Sequence, residues 1–365
     1  MHLDRIALHH FRNLHGLEAR FSPGVNLIAG PNGHGKSNLL EAVHFLALAH
    51  SNRTRKDKEL IAWDAPEDAG FVIRGEGVVG EREHVQSLEY REGGSRVKVA
   101  GEESRRLGDL LGNFLLTAFA PEDLDLIRSG PQERRRFLDV LLCQLDPSAL
   151  EVLRRYRTAL KQRNAALRWN LRGEEEALLD AYEATLAEAG GEIVFRRREW
   201  VGKLAPKAAN FHEEIGGGAE ALALSLPGKQ ETSESPSSLA EMMVAKLRES
   251  RLRDRENGLT SIGPHRDDLL VLLDQKPARD FASQGQKRSA ALALKLAAAN
   301  LLEETSGMPP ILILDDVFAE LDPGRRERLG ALVAGRGQAF IATPRREDLP
   351  FAVEAELRLE KGRIR

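Results

Sequence analysis

Only one cysteine, Cys143, stands among the 365 residues, so no disulfide can form within the chain and no cysteine-based zinc site can be assembled. Its simplest place is as a small buried apolar residue. Long apolar runs are missing as well, none approaching the roughly 18–20 residues of a membrane span, and the opening MHLDRIALHHFRN lacks the apolar stretch of a secretory signal. The expectation is a cytoplasmic protein with no membrane association. An excess of one charge sign is also lacking: 53 basic residues stand against 56 acidic ones, for a formal net charge of -3. This excludes a uniformly basic, histone-like DNA binder, so any nucleic-acid surface must be a local patch. No internal repeat is visible. What is present is an ordinary globular composition, 42% apolar and 30% charged, on a chain long enough that two units are expected.

The pattern changes along the chain. LDRIALHHF, LEARF and VNLIAG read as strands, and a helix is expected from Lys36. Short β-rich runs between Gly70 and Gly101 predict an antiparallel meander, and NFLLTAF from Asn113 is a further buried strand candidate. At Pro131 the period becomes helical, and four helical stretches form an insert to about Asn257, broken by Pro147, Gly173, Gly190-Gly191, Pro206 and Gly216-Gly217-Gly218. Gly216 to Ser238 reads as a loop. DLLVLLD, a helix from about Ser283 to Glu304, and the strands ILIL, QAFIAT and ELRLE complete the chain.

Three segments carry chemistry. Gly30-Pro31-Asn32-Gly33-His34-Gly35-Lys36-Ser37 fits the Walker A pattern, between an apolar strand and a helical run. Its glycines let successive backbone N–H groups face phosphate oxygens at a helix N-terminus, Lys36 reaches the β- and γ-phosphates, and the Ser37 hydroxyl binds Mg²⁺. Asn38 follows within the same binding segment. Far downstream, Ile311 to Leu314 form an apolar strand ending in Asp315 and Asp316, a Walker B pattern. Asp315 would hold Mg²⁺ and Asp316 would orient or deprotonate the attacking water. The third segment, Phe281 to Arg288, places Ser283, Gly285 and Gln286 at the start of a helix, an anion site with no ligand in its own P-loop pocket. The wide separation of Lys36 from Asp315 points to a split ATPase head.

Walker A near the N-terminus, Ser-Gln-Gly-Gln some thirty residues before Walker B, and Glu320-Leu321-Asp322 after it resemble an ABC-type ATPase head. The opening Leu-His-His-Phe-Arg-Asn, FAPEDLDLIRSGPQERRRFLD, SIGPHRDDL and LDDVFAELD resemble the RecF family of DNA replication and repair proteins across essentially the whole chain. The resemblance implies an α/β fold: an ABC-type P-loop head, with a mixed sheet and an antiparallel meander, split around a helix-rich lobe. Residues 1–130 and 258–365 would form the head and 131–257 the insert. It implies a homodimer with two ATP molecules between one protomer's Walker A and the other's signature, binding double-stranded and gapped DNA. It further implies help from RecO and RecR in loading RecA. By the same resemblance Arg12 and Asn13 lie near the nucleotide, Ser283 and Gln286 contact the partner's γ-phosphate, Asp322 sits at the dimer interface, and Thr343 takes a switch position. Asp316 stands where the family pattern has glutamate, and FAPEDL offers no glutamine for a Q-loop, which together suggest slow turnover.

Weaker features keep two readings each. The cluster Arg53, Arg55, Lys56 and Lys58 is a solvated face or a phosphate contact. Arg134-Arg135-Arg136, at a helix start where the macrodipole disfavours cations, meets either DNA or a carboxylate. His265 touches nucleotide or is hydrogen-bonded locally. No spacing suggests a protein-bound metal beyond Mg²⁺. Two other functions share the nucleotide motifs. A transporter ATPase normally lacks so large an insert, and a structural chromosome organiser needs a coiled coil for which this chain is too short.

Overall fold

The computed structural model describes residues 1–66, 68–92, 94–168, 175–218, 220–226 and 235–365. They divide into two compact units, Met1–Leu124 with Lys207–Glu220 and Gln284–Arg365, and Asp125–Pro206 with Ala221–Ser283.

The first unit opens with an antiparallel pair, β1 (His2–His9) and β2 (Leu17–Arg20), and β3 (Val25–Ala29) then leads into helix α1 (Lys36–Leu48). A register shift between Leu3 and Arg5 places Leu3, Ile6 and Leu8 on one buried face of β1. The expected meander follows as β4 (Phe71–Val79), β5 (Arg82–Arg91), β6 (Gly94–Val99) and β7 (Glu102–Ser104), and β8 (Leu116–Phe119) is the strand foreseen in NFLLTAF.

The second unit holds α2 (Asp125–Arg128), α3 (Pro131–Leu145), α4 (Ala149–Arg168) and α5 (Glu175–Gly216), whose last turns from Lys207 count with the first unit. Then come β9 (Leu222–Ser225), α6 (Pro236–Asn257), β10 (Leu270–Leu273), β11 (Lys276–Pro277) and α7 (Ala278–Phe281). Two expectations need correction. The stretch read as a loop from Gly216 to Ser238 contains β9, which pairs antiparallel with β10, while 219 and 227–234 lie outside the described residues. Helix α5 runs unbroken through Gly190-Gly191 and Pro206. A β-carbon on Gly190 would stand 2.6 Å from Met243 Sδ, and one on Gly191 2.6 Å from the Pro236 carbonyl oxygen, so these glycines admit α6 at close range instead of ending α5. That close packing outweighs a propensity cost of about 1 kcal/mol per glycine. The fully buried Leu204 and Ala208 flank Pro206 and anchor the helix across the missing hydrogen bond. Gly173 lies outside the described residues.

Arg163 on α4 centres a buried ionic knot. The fully buried Arg163 donates to Glu183 Oε1 at 2.9 Å and to Asp254 Oδ2 at 2.7 Å, and Arg251 also grips Glu183. Thr260 Oγ1 and the Leu247 carbonyl take further guanidinium N–H bonds, which is what makes a buried cation tolerable.

The first unit is completed by α8 (Gln284–Ser306), β12 (Ile311–Asp315), α9 (Pro323–Val333), β13 (Ala339–Ala342), β14 (Ala355–Glu360) and β15 (Arg363–Ile364). One sheet has the order β2-β1-β4-β5-β6-β7 and is antiparallel. The other, β15-β14-β3-β13-β12-β8, is parallel save for β15, which turns back on β14. Its inner strands are apolar on both faces, as a covered parallel sheet requires. Helix α1 packs against strands of both sheets, and every residue of it is buried except Ser37 and Asn38. The expected mixed α/β head with a helix-rich insert is the observed fold.

Candidate nucleotide-binding site

The loop between β3 and α1 has the backbone its sequence demands. Gly30, Gly33 and Gly35 have φ of 141°, 78° and 108°, values that side chains resist. Gly30 also needs to lack a β-carbon, which would stand 2.2 Å from the Leu359 carbonyl oxygen on β14. Gly35 starts α1 with no side-chain cap, so the first-turn N–H groups remain available to an anion. Lys36, 5% exposed, folds its ammonium over the loop and donates to the carbonyls of Gly30 at 2.9 Å and Pro31 at 3.2 Å and to Asn32 Oδ1 at 3.3 Å. These are neutral acceptors, which a phosphate outcompetes through charge. His34 is held through its own backbone and ring: its carbonyl accepts from Gly362 N–H and its Nδ1 from Lys361 N–H.

Walker A and Walker B meet at one bond. Ser37 Oγ donates to Asp315 Oδ1 at 3.2 Å, because β3 and β12 both flank β13 and end on the same edge. Burial pushes the Asp315 carboxyl up to about 6, the charges of Asp316 and Glu122 add to this, and the Ser37 hydrogen bond and Arg53 oppose it. Asp316 turns sharply off the strand with φ 54°, its N–H bonded to the Ala342 carbonyl at 3.0 Å. Its Oδ1 is buried and finds no hydrogen-bond partner among the described residues. A buried carboxylate oxygen left open is an acceptor awaiting a donor. No group of three or more His, Cys, Asp or Glu side chains able to hold a metal is present among the described residues, so a cation held by Ser37 and Asp315 would complete its shell with water or phosphate oxygens.

A model of the RecF/RecN/SMC N terminal domain matches residues 2–359. A DNA replication and repair protein RecF of Halalkalibacterium halodurans is 40% identical over 94% of this chain and 92% of its own length, and one of Streptomyces avermitilis is 39% identical over 96% and 95%. The chain belongs to the RecF family. Among solved structures, the recombination mediator protein RecF-ATP of the RecFOR pathway superposes with a TM-score of 0.91 at 33% identity, covering 100% of this chain and 96% of that one. An Smc head bound to a winged-helix domain of ScpA shares the fold alone, with a TM-score of 0.58 at 15% identity.

The other candidate residues are spread over several elements. Arg12 and Asn13 follow β1, but the Arg12 guanidinium is committed to Glu41 on α1, at 2.9 and 3.0 Å, and to the Glu59 carbonyl. Asn13 Oδ1 accepts from Asn38 at 2.8 Å, and Asn38 Oδ1 accepts from Arg53 at 2.8 Å. Glu41 thus centres a network behind the phosphate loop that Arg12, Arg53 and Ser51 share. Sequence reasoning missed Glu41, whose signal was a lone carboxylate inside the apolar run NLLEAVHFLALA. Thr343, buried just past β13, bonds the Arg345 carbonyl at 3.2 Å and lies one position beyond Ala342, the register partner of Asp315. Ser283 immediately precedes α8, and Gln286, in the first turn, donates to Glu220 at 2.8 Å. Asp322 caps α9 by accepting from Arg325 N–H, which holds its carboxyl below the usual range.

Of the open readings, that of His265 closes and that of the arginine run closes at Arg134. Arg134, 5% exposed, makes a bidentate pair with Asp268 at 2.7 and 3.0 Å, so its partner is a carboxylate and not DNA. His265 is locally bonded, through Nδ1 to Tyr156 OH at 2.6 Å and through Nε2 to the Thr260 carbonyl at 3.0 Å.

Proposed function

We propose that the chain is an ATP-dependent DNA-binding protein of recombinational repair, a slow ATPase whose ATP-bound homodimer engages gapped and double-stranded DNA. The observation that carries this is the 3.2 Å bond between Ser37 and Asp315 at the mouth of a glycine loop holding Lys36, in a chain similar throughout to an ATP-bound RecF. The loop from Gly30 to Gly35 and the first turn of α1 bind the β-phosphate through backbone N–H groups, and Lys36 bridges toward the γ-phosphate. Ser37 and Asp315 fit Mg²⁺: a hydroxyl and a carboxylate already face one another, and Asp315 ionises above about 6. Bound there, Mg²⁺ neutralises charge developing on the phosphate oxygens. Asp316, with an open Oδ1, orients and deprotonates the water. Ser283 and Gln286 act on the nucleotide of the second protomer, Asp322 lies at the interface, and Thr343 senses the γ-phosphate. Hydrolysis then releases the dimer. RecO and RecR act with it to load RecA, and the exposed Arg55, Lys56 and Lys58 form the phosphate track.

The test is molecular mass with and without ATP, together with ATP turnover, for Asp316→Asn. The variant should bind ATP and persist as a dimer, because the nucleotide contacts remain while the water loses its acceptor. Unchanged turnover would remove Asp316 from this role, and a monomer in ATP would remove the dimer.

A further inference from the structure

The arginines around the start of α8 are not equivalent. Arg288 donates to the Glu320 carbonyl at 2.7 Å and pairs with its carboxylate. Arg326 turns inward to the carbonyls of Phe318 and Leu321 and to Asp348. Arg328 donates to the Ile215 carbonyl at 2.9 Å. Arg325 is the exception of the four: among the described residues its guanidinium makes no hydrogen bond, and its ion pair, with Asp322 Oδ2 at 3.4 Å, is to a half-exposed side chain already occupied in capping α9.

What the Arg325 guanidinium does lie against is Gly285. A β-carbon on Gly285 would stand 2.9 Å from Arg325 Nη1, so the cation rests directly on the second residue of α8. A helix start carries a partial positive charge, a poor neighbour for a guanidinium. A loosely held, exposed carboxylate offsets that only weakly. A polyanionic phosphate relieves both positive contributions at once, and the planar fork of arginine matches its oxygens. The signature residues Ser283 and Gln286 on either side are neutral, so Arg325 brings the charge they lack.

We infer that Arg325 is a phosphate-contacting residue of the composite site, supplied by one protomer to the terminal phosphate of the ATP held in its partner's P-loop, with Asp322 positioning the guanidinium. This rests on the proposed action of the signature between protomers. It assigns the charge at that contact to the helix after Walker B and not to α8.

The experiment uses the full-length chain with Mg²⁺-ATP. Arg325→Ala should leave the monomer's own ATP affinity within twofold of wild type and weaken ATP-driven dimerisation at least tenfold, read by mass and by sedimentation, with Arg325→Lys recovering part of it. Arg325→Gln keeps most of the stem and a polar end, so a folding defect confined to the alanine variant leaves the test intact. Mixing Arg325→Ala with Lys36→Met gives dimers with one site that has both an intact P-loop and an intact Arg325, and hydrolysis should reappear on mixing. Ser283→Arg mixed with Lys36→Met is the reference. If the reference pair complements and the Arg325 pair does not, Arg325 does not act across the interface and the inference fails alone. Should neither pair complement, the action of the signature between protomers falls and Arg325 with it. Wild-type dimerisation by both Arg325→Ala and Arg325→Gln, or a tenfold loss in Lys287→Ala instead, overturns the assignment.

Discussion

Ser37 and Asp315, 278 positions apart, share one hydrogen bond of 3.2 Å in a pocket where burial holds the Asp315 carboxyl up to about 6. A cation that needs the ionised carboxylate therefore competes with a proton close to neutral pH.

The sign of the resulting pH effect is fixed. An aspartate in the unfolded chain ionises near 3.9, so between about pH 4 and pH 6 the folded state carries the extra proton. Stability of the nucleotide-free protein should fall as pH rises through that window and level off above it. Asp315→Asn should remove this slope, measured by urea unfolding at pH 4.5 and 7.5, and the wild type should lose Mg²⁺-ATP affinity as pH drops below about 6. Equal slopes in the two proteins would refute the buried-carboxyl account.

Gly30→Ala tests the loop's geometry. The added carbon meets the Leu359 carbonyl oxygen at 2.2 Å on a backbone with φ 141°, so the variant should lose about 2–4 kcal/mol and most nucleotide affinity. Gly16→Ala, at φ 64° with no atom within 4 Å of the added carbon, should lose only about 1 kcal/mol. Comparable losses for both, in thermal unfolding, would place the cost in φ alone.

Arg163→Met should be far more damaging than its conservative volume suggests. Asp254 would stay buried without its guanidinium and Glu183 would keep only Arg251, for a loss of about 3–5 kcal/mol. Adding Asp254→Leu should restore a substantial part, as judged by denaturant midpoints. No recovery would mean that Arg163 serves chiefly through its bonds to Thr260 and Leu247.

For DNA, changing Arg55, Lys56 and Lys58 together to glutamine should weaken binding about equally on unrelated duplexes. The log–log salt slope should drop by roughly 0.9 for each phosphate no longer neutralised. ATP-driven dimerisation should survive. Arg53 is left out of the set because Asn38 and Glu41 already hold it. A wild-type salt slope in the triple variant would place the DNA track elsewhere.

The sequence by itself determined whatever depends on local pattern. The glycines of the phosphate loop and the apolar strand before Asp315 state their conformation within a few residues, because positive φ and period-two burial are properties of short segments. The meander, the helix start at Pro131 and the family were legible for the same reason. The tertiary structure alone decided what depends on the meeting of distant residues. It drew α5 through Gly190 and Gly191, since the absence of side chains there serves the approach of α6. It gave Arg134 to Asp268 and Arg12 to Glu41, because a charged side chain carries no local record of which remote carboxylate will neutralise it. The raised carboxyl of Asp315 and the open oxygen of Asp316 likewise follow from burial, which the sheet order imposes by setting β12 between β13 and β8.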